Sequence, residues 1–188
     1  MDSRCRLRCT LAGALLLIGV LCGCTGSDRP RARPSDTASA TPTATPDSAA
    51  LASAGAMAAY RGFRRAQVAA EAVANAHSAD LARYAGAAAL AQERANLLQL
   101  AQAGIVVKGA PVLSPEVTNV ELGVSPAVTI MDCLDVSGWQ PVYKATGRSA
   151  AAGGQPTRVL ATALARPYGD GWLIQQLTTD RSRPCTSS

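Results

Sequence analysis

At 188 residues, with a formal net charge of +5 and 16% charged residues, the chain is long enough for one domain with its own core and is only weakly basic. That balance gives no electrostatic case for nucleic acid, and aromatic residues at 4% leave few platforms for stacking bases. A single histidine, His77, excludes a multi-histidine metal site, and arginine in place of lysine at all but Lys108 and Lys144 reads as the mark of a high-GC genome.

The N-terminus is tripartite. Arg4, Arg6 and Arg8 precede an apolar run from Leu11 to Leu21, and Leu21-Cys22-Gly23-Cys24 follows. The apolar run is much shorter than the roughly 20 residues that cross a hydrocarbon core as a helix. A lipoprotein signal peptidase needs Leu three positions before the cut, then small residues, then a cysteine whose thiol already carries diacylglycerol. Leu21, Gly23 and Cys24 fit, while Cys22 stands where Ala, Ser or Thr is commoner. Residues 1–23 therefore read as a lipoprotein signal peptide. Cys24 is the expected lipidated residue, holding the mature chain on the extracytoplasmic face of the cell membrane. An ordinary secretory signal with a coincidental cysteine is the other reading.

Cys5, Cys9 and Cys22 leave with such a signal, so Cys133 and Cys185 remain as an even pair in an oxidising compartment. One connectivity is open to them within the chain. It would close a loop of about 50 residues, worth roughly 4 kcal/mol on the chain-entropy model. Two buried free thiols are the alternative.

Residues 24–50 are rich in Thr, Pro and Ala and predict a disordered tether, reaching roughly 28 Å as flexible coil and up to about 80 Å as polyproline II. Residues 51–188 predict a single α+β domain. It opens with a helix over residues 57–76, where Tyr60 and Phe63 stand at helical spacing and Gln67 and Glu71 share a face, as do Arg61 and Arg65. Ser78 or Asp80 offers an N-cap to a second helical segment. Its core face is read from Leu81, Tyr84, Ala88, Ala91, Ala95 and Leu98, with Gly86 as a point of division and Gly104 as the closing C′ residue. Strands are predicted over residues 105–107, 117–122, 127–136 and 139–144, the third placing Val128, Ile130, Asp132 and Leu134 on one face. A flexible loop covers residues 147–156. Residues 158–166 and 172–179 then form a hairpin around Tyr168-Gly169-Asp170-Gly171. Helices first and an antiparallel sheet after argue for α+β.

These residues resemble a family. Two N-terminal helices, residues 104–111, the run Ala127-Val128-Thr129-Ile130-Met131-Asp132-Cys133-Leu134-Asp135 and the C-terminal stretch with Trp172 and Cys185 are similar to small secreted or lipid-anchored proteins of high-GC Gram-positive bacteria. The fold of those proteins is that of the nuclear transport factor 2-like superfamily. The resemblance covers about residues 56–185 and is sharpest at Asp132-Cys133-Leu134-Asp135 with the C-terminal cysteine. It implies helices packed on a curved antiparallel sheet that forms a cone. It says little about function, because this superfold hosts isomerases, cyclases, dehydratases and plain binding or assembly domains.

Enzymes of that superfamily place a carboxylate inside the cone, often with Tyr or His, to move a proton next to a carbonyl. Asp132, the one acid on an otherwise apolar strand face, is the only catalytic candidate, and Asp135 projects from the opposite face. The expectation for Asp132 is nevertheless structural, as a carboxylate paired with an arginine such as Arg158. No oxyanion donor is identifiable, since Tyr143 or Tyr168 would reach it only if the sheet curls favourably. His77 and Asp80 read as a surface helix start. No Gly-rich phosphate loop precedes a helix, and no cofactor or metal is assigned. Three readings follow. The leading one is a non-enzymatic domain, tethered by its N-terminal lipid, that binds a protein partner or a small apolar ligand. The second is an acid–base enzyme of the isomerase or cyclase kind, and the third a scaffold subunit that forms a homodimer through the sheet face.

Overall fold

The computed structural model describes residues 46–182 and Cys185. The expected signal peptide, Cys24 and residues 24–45 of the tether lie outside the described residues. Nine elements follow in order: α1 Pro46–Glu71, α2 Ala79–Tyr84, α3 Ala87–Gln102, β1 Ile105–Lys108, β2 Pro115–Glu121, β3 Ala127–Asp135, β4 Gln140–Tyr143, β5 Arg158–Tyr168 and β6 Gly171–Asp180. The domain is α+β, with its helices packed on antiparallel sheet. Among the described residues no helix is long and apolar enough to cross a membrane.

The first helix starts well before the expected residue 57, inside the stretch whose composition predicted tether. Pro46 opens it, where a missing N–H costs nothing, and Asp47 in the first turn complements the helix dipole. The alanines after it are as compatible with a linker as with a helix, and packing decides for the helix. Ala52, Ala56, Ala59, Tyr60 and Phe63 are all buried.

The second helical segment is divided at Gly86, as its sequence suggests. Ser78 is the N-cap of α2, although its side chain makes no capping bond. Gly86 donates its N–H to the Ile174 carbonyl at 2.8 Å, and a Cβ there would strike the Gln175 side chain. Gln175 is the extra residue of a bulge between β5 and β6, so the helix junction is pinned against that bulge. Restarting after Gly86 changes the helical phase. The expected core face of α3 is therefore wrong: Ala88, Ala91, Ala95 and Leu98 are exposed, and Ala89, Glu93 and Leu97 are buried instead. Gly104, at φ 65°, closes the helix at the expected place.

The main sheet has the order β2-β3-β5-β6, and β1 pairs with β4 in a second, two-stranded sheet. Along β3 the even residues Val128, Ile130, Asp132 and Leu134 face the helices, as their alternation predicts. Opposite them β5 buries Val159, Ala161, Ala163 and Ala165. Alanine on both α1 and β5 lets the helix lie close against the sheet. The hairpin turns through Gly169 and Asp170, with Tyr168 paired to Gly171.

Two apolar clusters result. The larger joins α1, α2 and α3 to Val128, Ile130, Ala163, Ala165 and Ile174. A smaller one holds Leu134, Val159 and Ala161, with Leu113 and Val136 against it. Asp132 sits between them along β3. On the other face of that strand Cys133 is bonded to Cys185, as the pairing of the remaining cysteines predicts. Gly109, at φ 81°, touches the Gly138 carbonyl where any Cβ would collide. That contact docks the end of β1 on the turn that carries Trp139.

Candidate functional site

A buried polar chain runs the length of the helix–sheet interface. Tyr60, Arg64, Gln67 and Glu71 follow one another at spacings of four, three and four along α1, so one face of the helix presents all of them. Tyr60 donates its hydroxyl to Asp132 Oδ2 at 2.7 Å. Arg64 donates from Nε to the Tyr60 oxygen at 3.0 Å and from Nη1 to Gln67 Oε1 at 2.8 Å. Its guanidinium also lies over the Tyr60 ring, 5.1 Å from the centroid. Gln67 donates from Nε2 to Glu93 Oε2 on α3 at 2.8 Å, and Asn96 Nδ2 donates to Glu71 Oε1 at 3.0 Å.

The two ends of this chain differ. At the Asp132 end every polar atom is paired, because Oδ1 accepts the Ser114 backbone N–H at 2.7 Å. Burial raises the Tyr60 phenol far above its usual range, so it remains the donor of the pair. The sequence placed Asp132 correctly on the buried face of β3, but its expected arginine partner is wrong. Arg158 stands beside Asp135, at 3.8 Å, because the β3–β5 register sets those two directly opposite. Hydrogen bonds from Ser137, with a contribution from Arg158, hold the Asp135 carboxyl below its usual range. Tyr143 and Tyr168 are exposed, and it is Tyr60 that reaches Asp132. His77 is exposed, and Asp80 bonds to Arg83.

At the other end the chain opens on a cleft of about 820 Å³ between α1, α3 and the sheet. Phe63, Leu100, Val107, Leu134 and Leu177 give it apolar walls, and Arg64, Glu71, Glu93 and Trp139 line it as well. Neither Asp132 nor Tyr60 does. Among the described residues three buried side-chain polar atoms lack a hydrogen-bond partner: Arg64 Nη2, Glu93 Oε1 and Trp139 Nε1. All three belong to residues that line this cleft. A buried polar group without a partner is costly, so their coincidence in one place calls for an occupant.

Glu71 and Glu93 resolve part of that demand between themselves. Burial pushes the Glu71 carboxyl up to about 8, and the charge of Glu93 adds to the effect. Burial also raises Glu93, against the hydrogen bonds from Gln67 and Asn96. Glu71 therefore keeps its proton at neutral pH, and its carboxyl can donate it to Glu93. Arg64 Nη2 and Trp139 Nε1 have no such remedy. Both are donors.

Arg64, Glu93, Asn96 and Trp139 were not singled out by their sequence, although the spacing from Tyr60 to Glu71 is a readable signal. Among comparisons with known proteins, no family model and no curated protein matches the chain. It is similar to the intermembrane-space region of the chloroplast protein ARC6, with a TM-score of 0.41 and 12% identity over 69% of this chain and 97% of that one. It is also similar to a domain of unknown function with a cystatin-like fold from Nostoc punctiforme, with a TM-score of 0.42 and 15% identity over 68% of this chain and 77% of that one.

Proposed function

We propose that this is a lipid-anchored extracytoplasmic protein whose α+β domain binds a small ligand in the cleft between α1, α3 and the sheet, without transforming it. The observation that carries the binding reading is that two buried donors without acceptors, Arg64 Nη2 and Trp139 Nε1, belong to residues lining a cleft large enough for a small molecule. The anchor rests on Leu21, Gly23 and Cys24, and the Cys133–Cys185 disulfide suits an oxidising compartment. A thioether diacylglycerol supplies two chains, where one chain is marginal for stable holding.

Two measurements test this. Cys24→Ala should abolish fatty-acid labelling and leave an uncleaved precursor, and equal labelling of wild type and variant would remove the anchor. Native mass spectrometry of the protein released gently from its own membranes should show a small-molecule adduct that organic solvent strips. A bare polypeptide mass under the mildest conditions would count against a resident ligand.

The enzyme reading shifts residue. Glu71, and not Asp132, is the carboxyl group in the cleft whose pKa is pushed up to about 8, which suits acid–base work near neutral pH. Turnover of the stripped ligand by wild type, lost in Glu71→Gln, would favour catalysis over binding.

A further inference from the structure

We propose that the cleft takes its ligand through a single carboxylate, held by Arg64, with an apolar body packed against Phe63, Leu134 and Leu177. The inference rests on the binding reading above and names the class of ligand.

Arg64 is the reason. The residue is 3% exposed, and it lies in the wall of the cleft. Its hydrogen bonds go to a phenol oxygen and an amide oxygen, both neutral, and Nη2 is unused. The acids nearest to it, Asp132 and Glu93, are joined to it only through Tyr60 and Gln67, so the guanidinium has no direct anionic partner and leaves a buried N–H edge without an acceptor. A carboxylate is the planar anion that fits such an edge. Trp139 Nε1–H, on the turn after β3, offers a second donor to an acceptor of the ligand. Phe63, Leu134 and Leu177 give the body of the ligand an apolar wall, and amides such as Gln92, Gln140 and Gln155 share the rest of the lining.

The Glu71–Glu93 pair makes room for that anion. Two ionised carboxylates beside it would repel it. Burial raises both carboxyls, and a negative charge arriving beside them raises them further, so it draws a proton onto the pair. The ionisable residues that line the cleft are Arg64 on α1, Glu71 on α1, Glu93 on α3 and Arg181 after β6, and Tyr60 and Asp132 stand behind Arg64. Of these, Glu71 is pushed up to about 8, so its charge changes just above neutral pH. Binding of a carboxylate thus consumes a proton, and affinity falls as pH rises and the pair ionises. Binding of an amide with the same body is insensitive to pH.

The test uses octanoate, octanamide and octylamine as probes of the whole folded domain, by titration calorimetry in buffers of different ionisation enthalpy. Octanoate should bind at least about tenfold more tightly than octanamide, with octylamine weakest, and should take up protons from the buffer. Its affinity should fall by about tenfold between about pH 7 and about pH 9, one linked proton giving up to tenfold per pH unit. Arg64→Lys keeps a cation and should retain weak octanoate binding, and Arg64→Met should lose it. Should Arg64→Met fail to fold, Glu71→Gln answers in its place, binding octanoate with a flattened pH dependence. Amide or amine binding as well as the acid would overturn the carboxylate and leave the cleft reading standing. So would an unchanged pH slope in Glu71→Gln. If none of the probes binds, and the native protein carries no adduct, the binding reading itself falls.

Discussion

The two ends of the polar chain on α1 use the same kinds of residue to opposite effect. At the Asp132 end a carboxylate, a phenol and a backbone N–H close on one another, 2.7 Å apart at each contact, with apolar clusters on both sides. At the Glu71 end an equally buried set is left with spare donors beside an open space. Polar groups that satisfy each other fix a structure, and polar groups that do not are waiting on something outside the chain. An acid on the core face of a strand is the more conspicuous feature in the sequence. It is the wrong end at which to look for chemistry.

The comparison is tested most severely at Asp132. Asp132→Ala should lower stability by about 2–4 kcal/mol in chemical denaturation, since it leaves the Tyr60 hydroxyl and the Ser114 N–H buried without an acceptor. A loss under about 1 kcal/mol would mean that this corner is not the structural member of the pair. A loss of comparable size, about 2–4 kcal/mol, is expected from Cys133→Ser, which cuts the tie on the opposite face of β3 and frees Cys185 to react with maleimide. If both thiols of the unreduced wild-type protein label, the bridge does not exist in solution.

What could be read in advance follows from which signals are local. The period-two alternation of β3 and β5 is imposed by the pleat, so Val128, Ile130, Asp132 and Leu134 were legible as one face. Strand register is not local. That Asp135 meets Arg158 while Asp132 stands opposite Ala161 depends on where the sheet aligns, and the expected Asp132–Arg158 pair failed for that reason. The helical stripe failed at Glu93 because Gly86 resets the phase, and because an apolar search passes over a buried acid. Arg64 was hidden by its neighbours: Arg61 and Arg65 are exposed, and a third arginine among them reads as more solvated surface. Trp139 reaches the cleft through a turn docked on Gly109, a contact that no sequence window contains.

A smaller effect, and one with a sign that depends on pH, is expected at the open end. Burial pushes the Glu71 carboxyl up to about 8 in the folded protein, from about 4.5 when it is free in water. Between those values the native state holds more protons, so stability is greatest below about pH 4 on this account and is lost as pH rises through about 8. Glu71→Gln should remove that slope. At about pH 9 the variant should be more stable than wild type, by on the order of 1–2 kcal/mol, as read from melting curves across pH. A wild-type curve with no fall between about pH 6 and about pH 9 would show that the pair is not desolvated.

The smallest stability change should come from Trp139→Phe. The substitution keeps an aromatic ring, though a smaller one, and deletes Nε1–H, a buried donor that has no acceptor within the protein. Removing a partner from a satisfied pair exposes the other member, as at Asp132. Removing a group that has no partner strands nothing, so the loss should stay within about 1 kcal/mol and come from the smaller ring of a half-buried side chain. The same variant should weaken ligand binding, since a hydrogen bond to the occupant would be worth about 1 kcal/mol, or roughly fivefold in affinity. Stability and affinity thus separate at Trp139 in the opposite sense to Asp132, where folding suffers and binding does not. A Trp139→Phe protein destabilised by more than about 2 kcal/mol, beyond what the smaller ring accounts for, would show that its Nε1–H is satisfied within the fold, and the distinction between the two ends would lose its open side.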